Sequence, residues 1–163
     1  MHRIYGLEKD SLYLANVFSV WVEHGKQPKN ESYEYIVVPG IDYNGLKKYS
    51  TKLPVEIISN TSEIQAVKQH KLQQVGMAFF QAGQLDISEN ISVKTNSPIL
   101  LLFDFKSNKL TASEPTGKIN VVSISIISNG KKPVVKELNF EELNNNGLGG
   151  KSISLDLEDT LKL

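Results

Sequence analysis

The chain has 163 residues, of which 40% are hydrophobic and 22% charged, and its 18 basic and 18 acidic residues cancel to a formal net charge of zero. This composition predicts a globular chain of one or two domains, and the lack of a basic excess argues against a nucleic-acid partner. The absence of cysteine excludes disulfides and thiolate metal sites, and no apolar run reaches the roughly 18–20 residues that a membrane helix needs, so we expect no membrane partner.

The first predicted elements are two strands joined by a polar loop. Large apolar side chains alternate along Phe18–His24 and again along Tyr33–Val38, at the period of two that is typical of strands. Turn-forming residues, Gly25, Pro28 and Asn30, lie between them. Apolar residues occur on both faces of both segments, which favours a sheet that is covered on two sides.

A short helix is predicted over Asp42–Lys52, with Asp42 as its N-cap and with Leu46 and Tyr49 facing inward. The following Leu53-Pro54 suggests a domain boundary, so we predict one domain over residues 1–52 and a second over residues 53–163.

Short strands with regular turn signals dominate the rest of the chain, which predicts an all-β, antiparallel sandwich. Ile99–Phe105 is almost entirely apolar and is predicted to be a central strand buried on both faces, Asn129-Gly130 to be a hairpin turn, and Asn144–Gly150 to be a mobile loop. The predicted strands are Val55–Ser59, Ile64–Gln69, Val75–Gln81, Asp86–Val93, Ile99–Phe105, Leu110–Ser113, Asn120–Ile127, Val134–Phe140 and Ser152–Leu157.

The three histidines, His2, His24 and His70, have no partner at the spacing of a metal or catalytic motif. His70 is expected to be solvated in a polar turn. For His24 two interpretations stay open, a hydrogen bond to the following loop and a ligand or catalytic role. We therefore predict no catalytic residue, no cofactor and no metal site in this chain.

Two further groups of residues allow alternative interpretations. Trp21, Tyr33 and Tyr35 fit either packing between sheets or a platform on which sugar rings stack, because an aromatic face matches the apolar face of a pyranose. The acidic residues at Asp156, Glu158 and Asp159 fit a solvated strand edge, and a calcium site is the alternative.

Two ordered blocks of sequence resemble polysaccharide lyase family 8, the group of chondroitin AC, hyaluronate and xanthan lyases. The first block resembles the end of that family's central β-domain, and the second resembles the first strands of its C-terminal β-sandwich. The resemblance runs from about Val17 to Pro115. The residues of the first block are His24, Gly25, Pro28, Tyr33, Tyr35, Val38, Pro39 and Gly40, and those of the second are Ile57–Thr61 and Ile64–Val67.

The resemblance implies a fold and a function. The chain is expected to hold a few terminal strands of a larger β-sandwich, followed by an antiparallel β-sandwich. Family 8 lyases cleave uronic-acid-containing polysaccharides by β-elimination, with catalytic residues on an N-terminal helical toroid that has no counterpart in these residues. The matching positions, from His24 to Gly40, are implied to be scaffold residues, and localisation is implied to be secreted or periplasmic.

Two functional hypotheses follow. The first is a non-catalytic β-region of a lyase that supports the enzyme and contacts substrate, with the catalytic domain of the parent chain as its partner. The second is a stand-alone carbohydrate-binding or interaction module. Because residues 1–41 offer only two or three strands, we also expect self-association through an exposed strand edge, or poor ordering of the first 16 residues.

Overall fold

The computed structural model describes residues 19–148 and 150–157. These residues belong to two units, one that ends at Val37 and one that begins at Val38. The expectation about the first 16 residues lies outside the described part of the chain.

Residues 19–37 of the first unit contain no strand, and Val38 is likewise irregular. The prediction of two paired strands over Phe18–His24 and Tyr33–Val38 is therefore wrong for the described residues. Backbone φ angles are positive at Gly25, Gln27 and Asn30 (76°, 54° and 58°), so the connection turns repeatedly. A two-stranded ribbon is marginal in water unless a third strand or a covering layer supports it, so an alternating pattern by itself does not guarantee a pair of strands.

The second unit begins with helix α1 (Tyr43–Ser50), which confirms the predicted helix. Its N-cap is Asp42, whose Oδ1 accepts a hydrogen bond from the Gly45 backbone N–H at 2.7 Å. No residue of α1 is buried, and Leu46 is exposed, so the inward orientation predicted for Leu46 is wrong.

Ten strands and one further helix follow α1 in the described residues. Eight of the nine predicted strands coincide with observed ones to within two residues at each end, and the antiparallel fold class is confirmed. The elements are β1 (Val55–Asn60), β2 (Ile64–Gln69), β3 (Gln74–Phe79), β4 (Gly83–Ser88), β5 (Ile91–Thr95), β6 (Ile99–Asp104), β7 (Lys109–Ser113), β8 (Val121–Ser128), β9 (Val134–Asn139), α2 (Glu141–Asn145) and β10 (Ser152–Asp156).

The strands form two antiparallel sheets. One has six strands in the order β1-β2-β3-β6-β7-β10, and the other has four in the order β4-β5-β8-β9. Alternate residues of each strand point into the shared core. Ala66, Met77, Leu101 and Ala112 occupy one cross-strand row of the larger sheet and are all buried. The smaller sheet contributes buried apolar residues such as Ile124 to the same cluster.

Strand β6 is buried on one face only, so the prediction of burial on both faces is wrong. Ile99, Leu101 and Phe103 point into the core, whereas Leu100 and Leu102 are 42% and 41% exposed. Core-facing and exposed residues alternate along β6 because successive side chains of a strand point to opposite sides. The apolar composition of this segment therefore does not require a third layer over the larger sheet.

The predicted strand Asp86–Val93 is wrong, because it spans the hairpin between β4 and β5. The chain reverses at Glu89-Asn90, where Ser88 Oγ accepts a hydrogen bond from the Ile91 backbone N–H at 3.1 Å. This turn contains neither glycine nor proline, which are the usual sequence signals.

Part of the segment predicted to be a mobile loop is ordered by hydrogen bonds. Helix α2 extends to Asn145, the side-chain amide of Asn144 donates to the Ile119 carbonyl at 3.2 Å, and the Leu148 N–H donates to the Leu143 carbonyl at 2.8 Å.

Candidate functional site

The aromatic side chains of the first unit are exposed. Trp21 is 78%, Tyr33 58% and Tyr35 72% exposed, so the interpretation that they pack in a core or between sheets does not hold in this structure. Tyr33 and Tyr35 are two residues apart in the chain, and their rings lie close together. Their centroids are 6.1 Å apart, with an interplanar angle of 18°.

His24 extends this pair. Its ring centroid lies 5.9 Å from that of Tyr33, at an angle of 45°, and its Nδ1 is 4.0 Å from Glu31 Oε2. The structure thus brings His24, Tyr33 and Tyr35 together. No ring contact joins Trp21 to them within residues 19–148. The role of these side chains as sugar contacts remains a prediction.

The remaining matched positions shape the backbone. Gly25 and Gly40 have φ angles of 76° and 70°, which residues with a Cβ atom rarely adopt. Pro39 and Gly40 form the turn that leads to the Asp42 cap of α1. Pro28 lies between the two segments of the first unit. This geometry is compatible with a scaffold role for these residues, and that role remains a prediction.

The histidine and acidic residues do not assemble into a metal centre in the described residues. No group of three or more potential ligands from histidine and acidic side chains occurs there. The His70 Nε2 lies 3.2 Å from Glu56 Oε2, and both side chains are about half exposed. His2, Glu158 and Asp159 lie outside the described residues, so the calcium alternative near Asp156 is untested.

A cleft of about 390 Å³ opens at one end of the sandwich, which we call the sandwich-end cleft. It lies where β2, the β2–β3 turn and the end of β6 meet the β4–β5 hairpin. Ile91 and Phe105 provide its apolar surface. The complete lining is Lys68, His70, Gln73, Ser88, Asn90, Ile91 and Phe105.

Lys68 is the unusual member of this cleft. It pairs with Val75, which in turn pairs with Phe103, so it lies in a core-facing row of the larger sheet. Its Nζ is 5.7 Å from the centroid of the Phe105 ring, a cation–π contact. The sequence analysis missed this cleft, although one signal existed: a lysine follows Ile64 and Ala66 at the period of an inward face.

Two family matches cover most of the chain in consecutive order. Residues 4–50 match the super-sandwich domain of polysaccharide lyase family 8, and residues 56–123 match its C-terminal β-sandwich domain. The chain belongs to polysaccharide lyase family 8. The resemblance seen in the sequence is therefore confirmed, and the order of the two matches corresponds to the C-terminal portion of the family.

Characterised family 8 relatives are similar over much of this chain. Chondroitinase-AC of Pedobacter heparinus is 35% identical over 127 residues, which are 75% of this chain and 18% of the relative. Hyaluronate lyase HylB of Enterococcus faecalis is 34% identical over 72% of this chain and 12% of the relative. Xanthan lyase of a Bacillus species is 34% identical over 40% of this chain. The chain thus spans less than a fifth of the length of these relatives.

Solved structures agree with this assignment. The structure of chondroitinase AC lyase, known from enzyme–oligosaccharide complexes, superposes with a TM-score of 0.69 and 28% identity, over 81% of this chain and 19% of that one. Paenibacillus xanthan lyase shares the fold with a TM-score of 0.57, over 72% of this chain and 12% of that one. Separately, neither described helix is long and apolar enough to cross a bilayer.

Proposed function

We propose that this chain is the non-catalytic C-terminal β-region of a polysaccharide lyase that cleaves a uronic-acid-containing polysaccharide by β-elimination. The observation that carries the proposal is the consecutive match of residues 4–50 and 56–123 to the super-sandwich and C-terminal sandwich domains of family 8. The resemblance places the catalytic residues of such enzymes on a helical toroid. We assign residues 1–52 to the super-sandwich domain and residues 53–163 to the C-terminal sandwich.

The substrate class follows from the relatives, whose names include chondroitinase, hyaluronate lyase and xanthan lyase. We propose that the substrate is a polymer of this acidic kind and that the region contributes in two ways. The sandwich supports the catalytic domain, which is the partner within the parent chain, and the first unit contacts the polymer. By the same resemblance, the enzyme acts in the periplasm or outside the cell.

The structural role is tested by exchange of domains. The corresponding C-terminal region of Pedobacter heparinus chondroitinase-AC is replaced by this chain, and unsaturated products are followed by ultraviolet absorbance. We expect the chimaera to retain activity on chondroitin and the isolated chain to release no product. A folded but inactive chimaera, or a sustained product signal from the repurified isolated chain, would contradict the proposal.

The second candidate function, a stand-alone carbohydrate-binding module, is favoured by one observation, the exposed and stacked pair of Tyr33 and Tyr35. Near-parallel aromatic rings that are more than half exposed offer an apolar surface to successive pyranoses. This function needs no catalytic domain, so it predicts that the isolated chain binds polysaccharide.

Affinity electrophoresis through gels that contain chondroitin, hyaluronan or xanthan measures this binding. We expect the double variant Tyr33→Ala, Tyr35→Ala to lose retardation, with a dissociation constant that is higher by roughly tenfold, because two stacking contacts are removed. Tyr43→Ala is the matched control, since Tyr43 is even more exposed than Tyr33 and Tyr35 but lies on α1. Equal retardation of the double variant and the parent would reject a role for the tyrosine pair.

A further inference from the structure

The sandwich-end cleft contains a cation on an inward-facing row of the larger sheet. Lys68 follows Ile64 and Ala66 on that face of β2, and its cross-strand neighbours Val75 and Phe103 are fully buried. Withdrawing an ammonium group from water costs free energy unless another group compensates. In residues 19–148 and 150–157, no carboxylate lies within salt-bridge distance of Lys68, and its recorded contact is the Phe105 ring at 5.7 Å.

The cross-strand neighbour Glu56 does not form an ion pair with Lys68. Glu56 pairs with Lys68 across the strands β1 and β2, but its Oε2 lies 3.2 Å from His70 Nε2. The Lys68 ammonium is therefore available to an anion that enters the cleft.

The rest of the lining suits a sugar ring. Ile91 is buried and, together with the partly buried Phe105, forms an apolar floor. Gln73 and Asn90 carry side-chain amides at the walls. Because Asn90 Oδ1 accepts a hydrogen bond from Asn129 Nδ2 at 3.2 Å, the oxygen of the Asn90 amide faces Asn129 and its N–H₂ group points the other way.

Hydrogen bonds fix the backbone that carries Gln73 and Phe105 before any ligand arrives. Gln73 has a positive φ of 58°, its N–H donates to the His70 carbonyl at 3.3 Å, and its own carbonyl accepts from the Phe105 N–H at 3.0 Å. A cleft that is preorganised loses less entropy when it binds.

We propose that the sandwich-end cleft binds a uronate residue of an acidic polysaccharide. The carboxylate accepts a hydrogen bond from the Lys68 ammonium, which lies over the Phe105 ring. The carbon-bound hydrogens of the pyranose contact Ile91 and the edge of Phe105, and the hydroxyls bond to the amides of Gln73 and Asn90. The volume of about 390 Å³ lies within the range of small-ligand pockets. The statement that the uronate is part of a polymer rests on the proposed function. The preference for an anionic sugar rests on the residues of the cleft.

The test is a titration of the ¹⁵N-labelled 163-residue chain with a hyaluronan tetrasaccharide, which carries carboxylates but no sulfate. We expect amide shifts centred on Lys68, Gln73, Asn90 and Phe105. Chitotetraose, a neutral sugar of the same length, should bind at least about tenfold more weakly, as expected when a charge-assisted hydrogen bond is lost. Equal affinity for the neutral sugar, shifts confined to other residues, or the same shifts from sodium sulfate at equal concentration would overturn the proposal.

Three lysine variants complete the test. Lys68→Gln should weaken tetrasaccharide binding by about tenfold, Lys68→Arg should retain it, and Lys71→Gln, in the neighbouring turn outside the cleft lining, should leave it unchanged. Lys68→Arg keeps the charge, so it reports on binding even if the glutamine variant does not fold. If both Lys68 variants bind like the parent chain, the cleft assignment is wrong. If both variants bind like the parent but the chondroitinase-AC chimaera described above is active, the cleft assignment fails and the proposed lyase function stands.

Discussion

At the scale of single residues, Glu114 is the most constrained ionisable group in the described residues. Its carboxylate is 1% exposed and accepts hydrogen bonds from the Thr116 N–H at 3.0 Å, the Lys118 N–H at 3.1 Å and the Thr116 hydroxyl. Burial acts to raise the pKa of Glu114, but these hydrogen bonds outweigh it, and the pKa lies below the ordinary value of 4.5. The ionised side chain thus organises the turn between β7 and β8.

We predict that Glu114→Gln lowers the free energy of unfolding by about 1.5–3 kcal/mol at neutral pH, the typical value of a buried hydrogen bond to a charged group. The amide N–H₂ would face backbone donors instead of accepting from them. Since the folded pKa is depressed, the stabilisation by the carboxylate is complete above the unfolded pKa and is lost as pH falls through the folded pKa. The free energies of unfolding of parent and variant, measured by urea denaturation, should therefore differ at neutral pH and converge below pH 4.5.

Glu137→Gln is the matched control for this prediction, because Glu137 is exposed on β9. It should change stability by less than about 0.5 kcal/mol at any pH. If the difference in the free energy of unfolding between Glu114→Gln and the parent stays constant from neutral to acid pH, the charge of Glu114 is not the stabilising feature.

At the scale of elements, the β4–β5 hairpin depends on one hydroxyl. Ser88 Oγ accepts from the Ile91 N–H at 3.1 Å and from the Asn90 N–H at 3.4 Å, where no glycine is available to relax the turn. We predict that Ser88→Ala lowers the free energy of unfolding by about 1 kcal/mol, the usual net value of such hydrogen bonds. Ser88→Thr keeps the hydroxyl and should lie closer to the parent in chemical denaturation. Equal stability of the alanine and threonine variants would contradict this role.

The success of sequence reasoning differed between elements for physical reasons. Most strands of the sandwich were located because apolar alternation coincides with glycine, proline or asparagine turns. The β4–β5 turn was missed because Ser88 forms it through a side-chain hydrogen bond that composition does not reveal. The two strands predicted in residues 18–38 show the opposite error, since the alternating pattern is present but residues 19–38 form no strand in the described part of the chain.

The candidate sites were predictable only in part. The shared side of Tyr33 and Tyr35 follows from their spacing in an extended chain, and the structure confirms their proximity. The exposure of the two rings could not be predicted from the sequence, because the same alternation of apolar residues also occurs in buried strands. The sandwich-end cleft unites residues from three separate segments of the chain, so only the position of Lys68 within β2 marked it in the sequence.

At the scale of the whole molecule, the first unit exposes large apolar side chains that are costly to leave in water. Trp21, Tyr35 and Val37 are each more than two-thirds exposed. We predict that the 163-residue chain self-associates through them, although the described residues there form no strand edge of the kind expected from the sequence. Sedimentation velocity should show an average mass that rises with concentration.

The variant Trp21→Ser, Tyr35→Ser, Val37→Ser should reduce this association by at least about tenfold, because it removes several hundred square ångströms of apolar surface. Tyr43→Ser is the control, since Tyr43 is as exposed but lies on α1. A chain that stays monomeric at high concentration, or a triple variant that associates as the parent does, would contradict the prediction.

The place of β10 in the larger sheet has a consequence for shortened forms of the protein. β10 pairs with β7, and Leu157, which follows β10, is fully buried and donates its N–H to the Asn108 carbonyl at 2.8 Å. In a chain that ends anywhere between residues 114 and 151, β7 therefore has no β10 partner and keeps an unpaired backbone edge, the kind of edge that chaperones protect and aggregates extend. A premature stop codon in that interval leaves the edge open permanently, so even a truncation that spares every other strand yields a substrate for proteolysis.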